Sequence, residues 1–94
     1  MFLWWSTPAT QQLAAAYDYI ALDSESAAKE IVNNIWDSVG ILARHPYAGR
    51  KGRVGGTREL VIRGTPFIVA YEVKRNGVRI LAVMHAARKW PDEF

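Results

Sequence analysis

The chain contains no cysteine, which excludes a disulfide framework and any thiolate metal site. Its two histidines, His45 and His85, are far apart in sequence, so no zinc site is expected and no metal or cofactor is implied. Long apolar runs are missing too. The stretch Met1–Trp5 is too short to span a bilayer and lacks the basic flank of a signal peptide. The expected address is the cytoplasm, with no membrane partner. Bases are nearly absent from the first half: residues 1–43 hold Lys29 alone against five acids, a net of −4. The remaining residues hold eleven Lys/Arg against four acids, a net of +7, which together give the overall +3. Such a contrast between halves points to a polyanionic partner for the second half, or to nothing more than a solvated basic surface.

Apolar residues, by contrast, are plentiful. Half of the residues are hydrophobic and four are Trp, enough to build a core and to argue against disorder. A chain of 94 residues makes one domain, 1–94, of helices layered on one sheet.

The strongest pattern lies between Thr57 and Pro91. Phe67–Lys74 and Val78–His85 read as two strands joined through Arg75-Asn76-Gly77, and Asn-Gly is the favoured centre of a type I′ hairpin turn. With Asn76 and Gly77 at the centre, Val73 faces Ile80, Tyr71 faces Ala82, Val69 faces Met84 and Ile68 faces His85. One face then carries Val69, Tyr71, Val73, Ile80, Ala82 and Met84 as core. The other carries Ile68, Ala70, Leu81 and Val83 in its middle, with Glu72, Lys74, Arg79 and His85 around them. A sheet that is apolar on both faces needs a cover on each.

Upstream, Phe2–Trp5 reads as a short strand. Ser6-Thr7-Pro8 supplies a capping hydroxyl and a first-turn proline for a helix over Pro8–Leu22, striped by Leu13, Ala16, Tyr17 and Ile20. Asp23-Ser24 breaks and recaps the chain, and Glu25 favours the start of a second helix. That helix runs to about Ala43, with Ala27, Ala28, Ile31, Ile35, Val39 and Leu42 on one stripe; His45-Pro46 ends it. The loop Tyr47–Gly56 is rich in glycine and base but has no phosphate-loop spacing. With Arg44, Arg50, Lys51 and Arg53 it is suited either to contacting phosphates or to serving as a flexible, solvated connector. Arg58–Ile62 is a further strand. The expected fold is α+β, in the order β-α-α-β-β-β, with a helix hairpin on one face of a small, mainly antiparallel sheet.

An ordered set of short signatures resembles the RelE/ParE superfamily of bacterial type II toxins. The set runs through Trp5-Ser6-x-x-Ala9, Tyr19-Ile20, Asp23…Ala27-Ala28, His45-Pro46-x-x-Gly49-Arg50 and Gly56-Thr57-Arg58-Glu59-Leu60. It continues through Phe67…Tyr71, Val83-Met84-His85 and Arg88…Trp90-Pro91, covering nearly the whole chain. The resemblance implies a toxin that arrests growth as part of a plasmid-stabilising addiction module. It also implies a cognate antitoxin that neutralises the toxin and covers the second apolar face at Ile68, Ala70, Leu81 and Val83, and that binds promoter DNA for the pair. Members differ in target. RelE-like toxins cut messenger RNA on the ribosome as metal-independent endoribonucleases, whereas ParE-like toxins inhibit DNA gyrase.

For a nuclease, His85 is the candidate acid or base, with Arg63 and Arg58 as candidate charge stabilisers. His85 is equally suited to capping the strand end by bonding a carbonyl. RelE-like nucleases place an arginine early on the central strand; the matching position here is Ile68, and the aromatic that often follows the terminal histidine is Ala86. These departures and the His85-x-x-Arg88 tail favour the ParE-like reading, with mRNA cleavage as the alternative and a simple nucleic-acid-binding module as a further one. Arg50, Lys51, Arg53, Arg88, Lys89 and Trp90 are the candidates for target or nucleic-acid contact. Of Trp4 and Trp5, one is expected in the core and the other under the antitoxin. Trp36 is expected to pack, and Tyr71 on the core face is not expected to be catalytic.

Overall fold

A computed structural model describes residues 1–94. Its elements are β1 (Phe2–Trp5), α1 (Thr7–Ala21), α2 (Glu25–Gly40) with a 3-10 turn over Ile41–Ala43, β2 (Arg50–Lys51), β3 (Arg58–Val61), β4 (Phe67–Lys74) and β5 (Gly77–His85). The five strands form one sheet in the order β1-β5-β4-β3-β2, antiparallel except for the parallel β1–β5 pair. The expected α+β architecture is present, and the basic loop adds the short edge strand β2.

Both helices begin on serine. Ser6 Oγ accepts the Ala9 amide at 3.2 Å and Ser24 Oγ accepts the Ala27 amide at 3.1 Å, each satisfying an orphan donor of the first turn. Ala9 from α1 and Ile35, Val39 and Leu42 from α2 and its 3-10 turn bury against Ile62, Val69, Tyr71, Val78, Ile80 and Val83 of the sheet. Trp5 packs on the edge of this core and stacks on Trp36 at 5.5 Å, while Trp4 pairs with Arg79 on the opposite, outer face.

The β4–β5 hairpin differs from the sequence expectation in two ways. Lys74 pairs with Gly77, so Arg75 and Asn76 occupy the turn, and neither they nor Gly77 has positive φ. The turn is therefore not type I′. Gly77 is needed for another reason: a Cβ there would run into the Phe2 carbonyl, because β1 lies against it in register. The second difference is a bulge. Tyr71 pairs with Ile80 but Ala70 pairs with Ala82, so Leu81 is an extra residue and the facing of β5 inverts beyond it. Ala82 and Met84, expected in the core, share the outer face with Ala70 and Ile68. Val83, expected outside, belongs to the core, and His85 pairs with Phe67 on the helix side.

Helix α1 stabilises that bulge. Strand β1 ends at Trp5, and past it the open edge of β5 is met by α1: Ser6 Oγ donates to the Leu81 carbonyl at 3.1 Å and Gln12 Oε1 accepts the Val83 amide at 2.8 Å. Backbone groups that would otherwise be orphaned are thereby satisfied.

Candidate functional site

The basic loop is held by a buried carboxylate. Glu59, in the middle of β3, is only 2% exposed. Its Oε1 accepts from Arg50 Nη2 at 3.0 Å, and its Oε2 accepts the Arg53 amide at 2.9 Å and Arg53 Nε at 3.1 Å. Burial pushes the Glu59 pKa up, but the Arg53 amide, the Arg53 guanidinium and the Arg50 guanidinium outweigh it and hold the carboxyl below its usual value. The loop is also closed on itself. Gly52 donates to the Thr57 carbonyl at 2.8 Å, and Thr57 Oγ1 donates to the Val54 carbonyl at 2.6 Å. It is thus not a flexible connector, and two of its three cations, Arg50 and Arg53, are committed to Glu59.

Tyr71 anchors the segment before it. Its buried hydroxyl donates to the Pro46 carbonyl and accepts the Gly49 amide, both at 2.8 Å. Burial raises its pKa, against the Gly49 bond and the Arg58 charge. As the sequence indicated, Tyr71 is a core residue; its role is to fix the 46–49 chain over the sheet.

Alternation along the edge sorts the charges. Arg50 pairs with Glu59 and lies on the outer face, whereas Lys51 pairs with Arg58, whose strand neighbours Leu60 and Ile62 face the core. Arg58 Nη1 donates to the Gly49 carbonyl at 2.9 Å, and its guanidinium carbon lies 4.8 Å from the Tyr47 ring centroid.

The tail crosses the outer face. Glu59, Ala70 and Ala82 form one row across β3, β4 and β5. The chain leaves β5 at His85, yet Trp90 receives the Arg53 guanidinium at 3.8 Å from its ring centroid, on the Glu59 side of the row. Residues 86–90 thus carry the chain from the β5 end towards the β3 side of the outer face, where Ala70 and Ala82 are buried. Trp90 Nε1 is buried without a hydrogen-bond partner. Of the four residues expected under a partner, Ile68 and Ala70 lie on this outer face, Leu81 is the bulge residue, and Val83 faces the helices and is not available to a partner.

The candidate nuclease residues are only partly assembled. His85 Nδ1 accepts the Ala87 amide at 3.1 Å, and its ring meets Phe67 edge-on at 5.7 Å. It caps the strand end by taking an amide, not by bonding a carbonyl. Arg63 lies in the β3–β4 turn, where the Ile62 amide bonds the Phe67 carbonyl, and so shares His85's end of the sheet. Arg58 does not: it pairs with Tyr71, four residues from Phe67 and about 13 Å away along the strand. Arg88 and Lys89 are exposed on the tail. No group of acids or histidines has the makings of a metal site, and no helix is long and apolar enough to cross a membrane. Sequence reasoning gave Glu59 no role, although it stands in the Gly56–Leu60 signature as a lone acid in a basic stretch, and it missed Gln12, which gave no signal at all.

Comparison with known proteins adds the family. The model for the ParE toxin of the type II toxin–antitoxin system parDE matches residues 3–90. The chain is 41% identical over 87 residues to the candidate toxin Y4kP of Sinorhizobium fredii, covering 93% of this chain and 90% of that one. It is 33% identical to the toxin RelE2 of Caulobacter vibrioides, covering 89% and 93% respectively. A solved structure of the chromosomal ParDE system from P. aeruginosa superposes with a TM-score of 0.81 at 32% identity, covering 90% of this chain and 95% of that one. The chain belongs to the ParE toxin family of type II toxin–antitoxin systems, within the RelE/ParE superfamily.

Proposed function

We propose that this toxin arrests growth by ParE-like inhibition of DNA gyrase, and that a cognate antitoxin from its own module neutralises it and carries the pair to promoter DNA. The observation that carries the choice of target is the placement of Arg58. Arg58 is tied to the Gly49 carbonyl and the Tyr47 ring, far along β4 from His85. Ribonucleolytic attack by a 2′-hydroxyl needs a cation at the phosphorus beside the acid or base. Here Arg50 and Arg53 are committed to Glu59, and Ile68 stands where RelE-like nucleases carry an arginine. The second reading, a ribosome-dependent endoribonuclease, keeps one observation in its favour: Arg63 and His85 flank Phe67 at the same end of the sheet.

The experiment is a pulse-label of cells in the first minutes after inducing the toxin without antitoxin, following methionine and thymidine incorporation side by side. Thymidine incorporation is expected to fall first. Methionine incorporation falling first overturns the gyrase reading in favour of mRNA cleavage.

A further inference from the structure

The sheet edge that holds the Glu59 cluster carries, on the opposite face, a second group of cations with a different character. Arg44, His45, Pro46, Tyr47 and Ala48 line an open cleft of about 510 Å³. Tyr47 is 65% exposed, and one side of its ring is backed by the Arg58 guanidinium. Lys51 shares the Arg58 side of the sheet. None of Arg44, Lys51 and Arg58 is in an ion pair; the chain's five salt bridges involve Lys29, Arg50, Arg53, Lys74 and Arg79. The loop thus divides its charges. Arg50 and Arg53 are spent on Glu59 in the outer face, while Lys51 and Arg58 are left unneutralised beside an aromatic ring.

We propose that Tyr47, with Arg44, Lys51 and Arg58, forms a binding site for single-stranded nucleic acid. One base stacks on the open face of Tyr47 and the flanking phosphates meet the three cations. The chemistry selects this ligand over its rivals. An exposed aromatic among cations is the platform on which unpaired bases stack. Bases within a duplex have no free face to offer it, so a duplex engages only the charges. An acidic peptide would likewise use the charges alone. A protein interface also enriches Tyr and Arg, but it depletes Lys and gathers them around an apolar centre, whereas Tyr47 has cations and no large apolar side chain beside it. Arg58 is already held, since the Gly49 carbonyl takes one of its five donors and its guanidinium carbon lies 4.8 Å from the Tyr47 ring centroid. The Tyr71 hydroxyl in turn fixes the chain at Pro46 and Gly49 on either side of Tyr47, so the backbone that carries the platform is held before any ligand arrives.

The test uses the purified full chain and a fluorescent short oligothymidylate, with an oligouridylate of equal length, the same DNA as duplex, and polyglutamate as competitors. Binding by anisotropy across a salt series is expected to show a slope of log K on log salt of about −2, as three cations on a single strand would give. Tyr47→Ala should weaken oligothymidylate binding about tenfold or more, while Tyr47→Phe keeps it, and Lys51→Ala should reduce the slope by about 0.7. The deoxy and ribo strands compete equally if base and phosphate are all that is read; a preference for the ribo strand adds a 2′-hydroxyl contact to the same site. The proposal is overturned if neither strand binds at low salt, if Tyr47→Ala binds as tightly as the parent, or if duplex or polyglutamate displaces the oligonucleotide as well as itself. Tyr47 is exposed, so its substitutions leave the core intact. Since the readout is made on the isolated chain, failure here leaves the growth-arrest reading standing.

Discussion

The Arg53 guanidinium is gripped on one side by Glu59, at 3.1 Å, and covered on the other by Trp90, at 3.8 Å from its ring centroid. A single side chain therefore joins the basic loop, β3 and the C-terminal tail. Removing the ring should free the tail without dissolving the core. Trp90→Ala is expected to cost about 1–2 kcal/mol, a cation–π contact together with the apolar area beneath it. Hydrogen exchange should speed up at the Ala86 and Arg88 amides, which bond the Pro66 and His85 carbonyls, and not at β4. Unchanged exchange in residues 86–90 would mean that the tail is held by something other than this stack.

Glu59 is the acid on which the loop depends. Glu59→Gln keeps the shape but removes the charge shared by Arg50 and Arg53, and should destabilise by about 1–3 kcal/mol in urea unfolding. Its folded pKa is depressed, so the carboxylate's contribution is full above the unfolded value of about 4.3 and is lost as pH falls through the lower folded value. The stability gap between parent and variant should therefore be flat near neutrality and close below about pH 4. A gap that widens on acidification would reverse the assigned direction of the shift.

Tyr71 and Gly49 are matched. Tyr71→Phe leaves the Gly49 amide and the Pro46 carbonyl without their partner and should cost about 1–3 kcal/mol. Gly49→Ala should cost at least as much, because its Cβ would lie 2.5 Å from the Tyr71 hydroxyl and 2.7 Å from the Glu59 carbonyl oxygen, and β3 backbone cannot give way cheaply. Differential scanning calorimetry of the two variants checks both. The raised Tyr71 pKa has the opposite pH sign to that of Glu59: its contribution is present below about pH 10 and is lost as pH rises through the folded value.

Much of this was legible in the sequence, and the failures have identifiable causes. Helix caps, helix stripes and the antiparallel hairpin follow from local chemistry, and Ser6, Ser24 and the α2 stripe stand where that chemistry puts them. The turn at Asn76-Gly77 was misread because Gly77 has a second demand on it, the close approach of Phe2 across a parallel pair that no local pattern announces. The facing of Val83 and Met84 was inverted because strand alternation assumes an unbroken ladder. Leu81 breaks the ladder, and what sustains the break is Ser6 and Gln12, some seventy residues earlier. Charge counting found the basic loop, but it could not see that Glu59 divides Arg50 and Arg53 from Lys51 and Arg58. That division depends on β2 pairing with β3, a two-residue strand too short to show a period.

The choice of target makes the last prediction. His85 Nδ1 accepts the Ala87 amide at 3.1 Å and so caps the strand end. If gyrase is inhibited by binding, the exposed Arg88 matters more than the imidazole. Arg88→Ala should then weaken growth arrest while His85→Ala changes it little, with both proteins still folded and still captured by the antitoxin. Cleavage of messenger RNA reverses the order, because an acid or base contributes about 10²–10⁴-fold to rate and its loss would abolish toxicity. Dilution series of induced cultures, with antitoxin pull-down as the folding control, separate the two. His85→Ala proving harmless would leave Arg63, at the same end of the sheet, with no acid or base to assist, and the nuclease reading would fail with it.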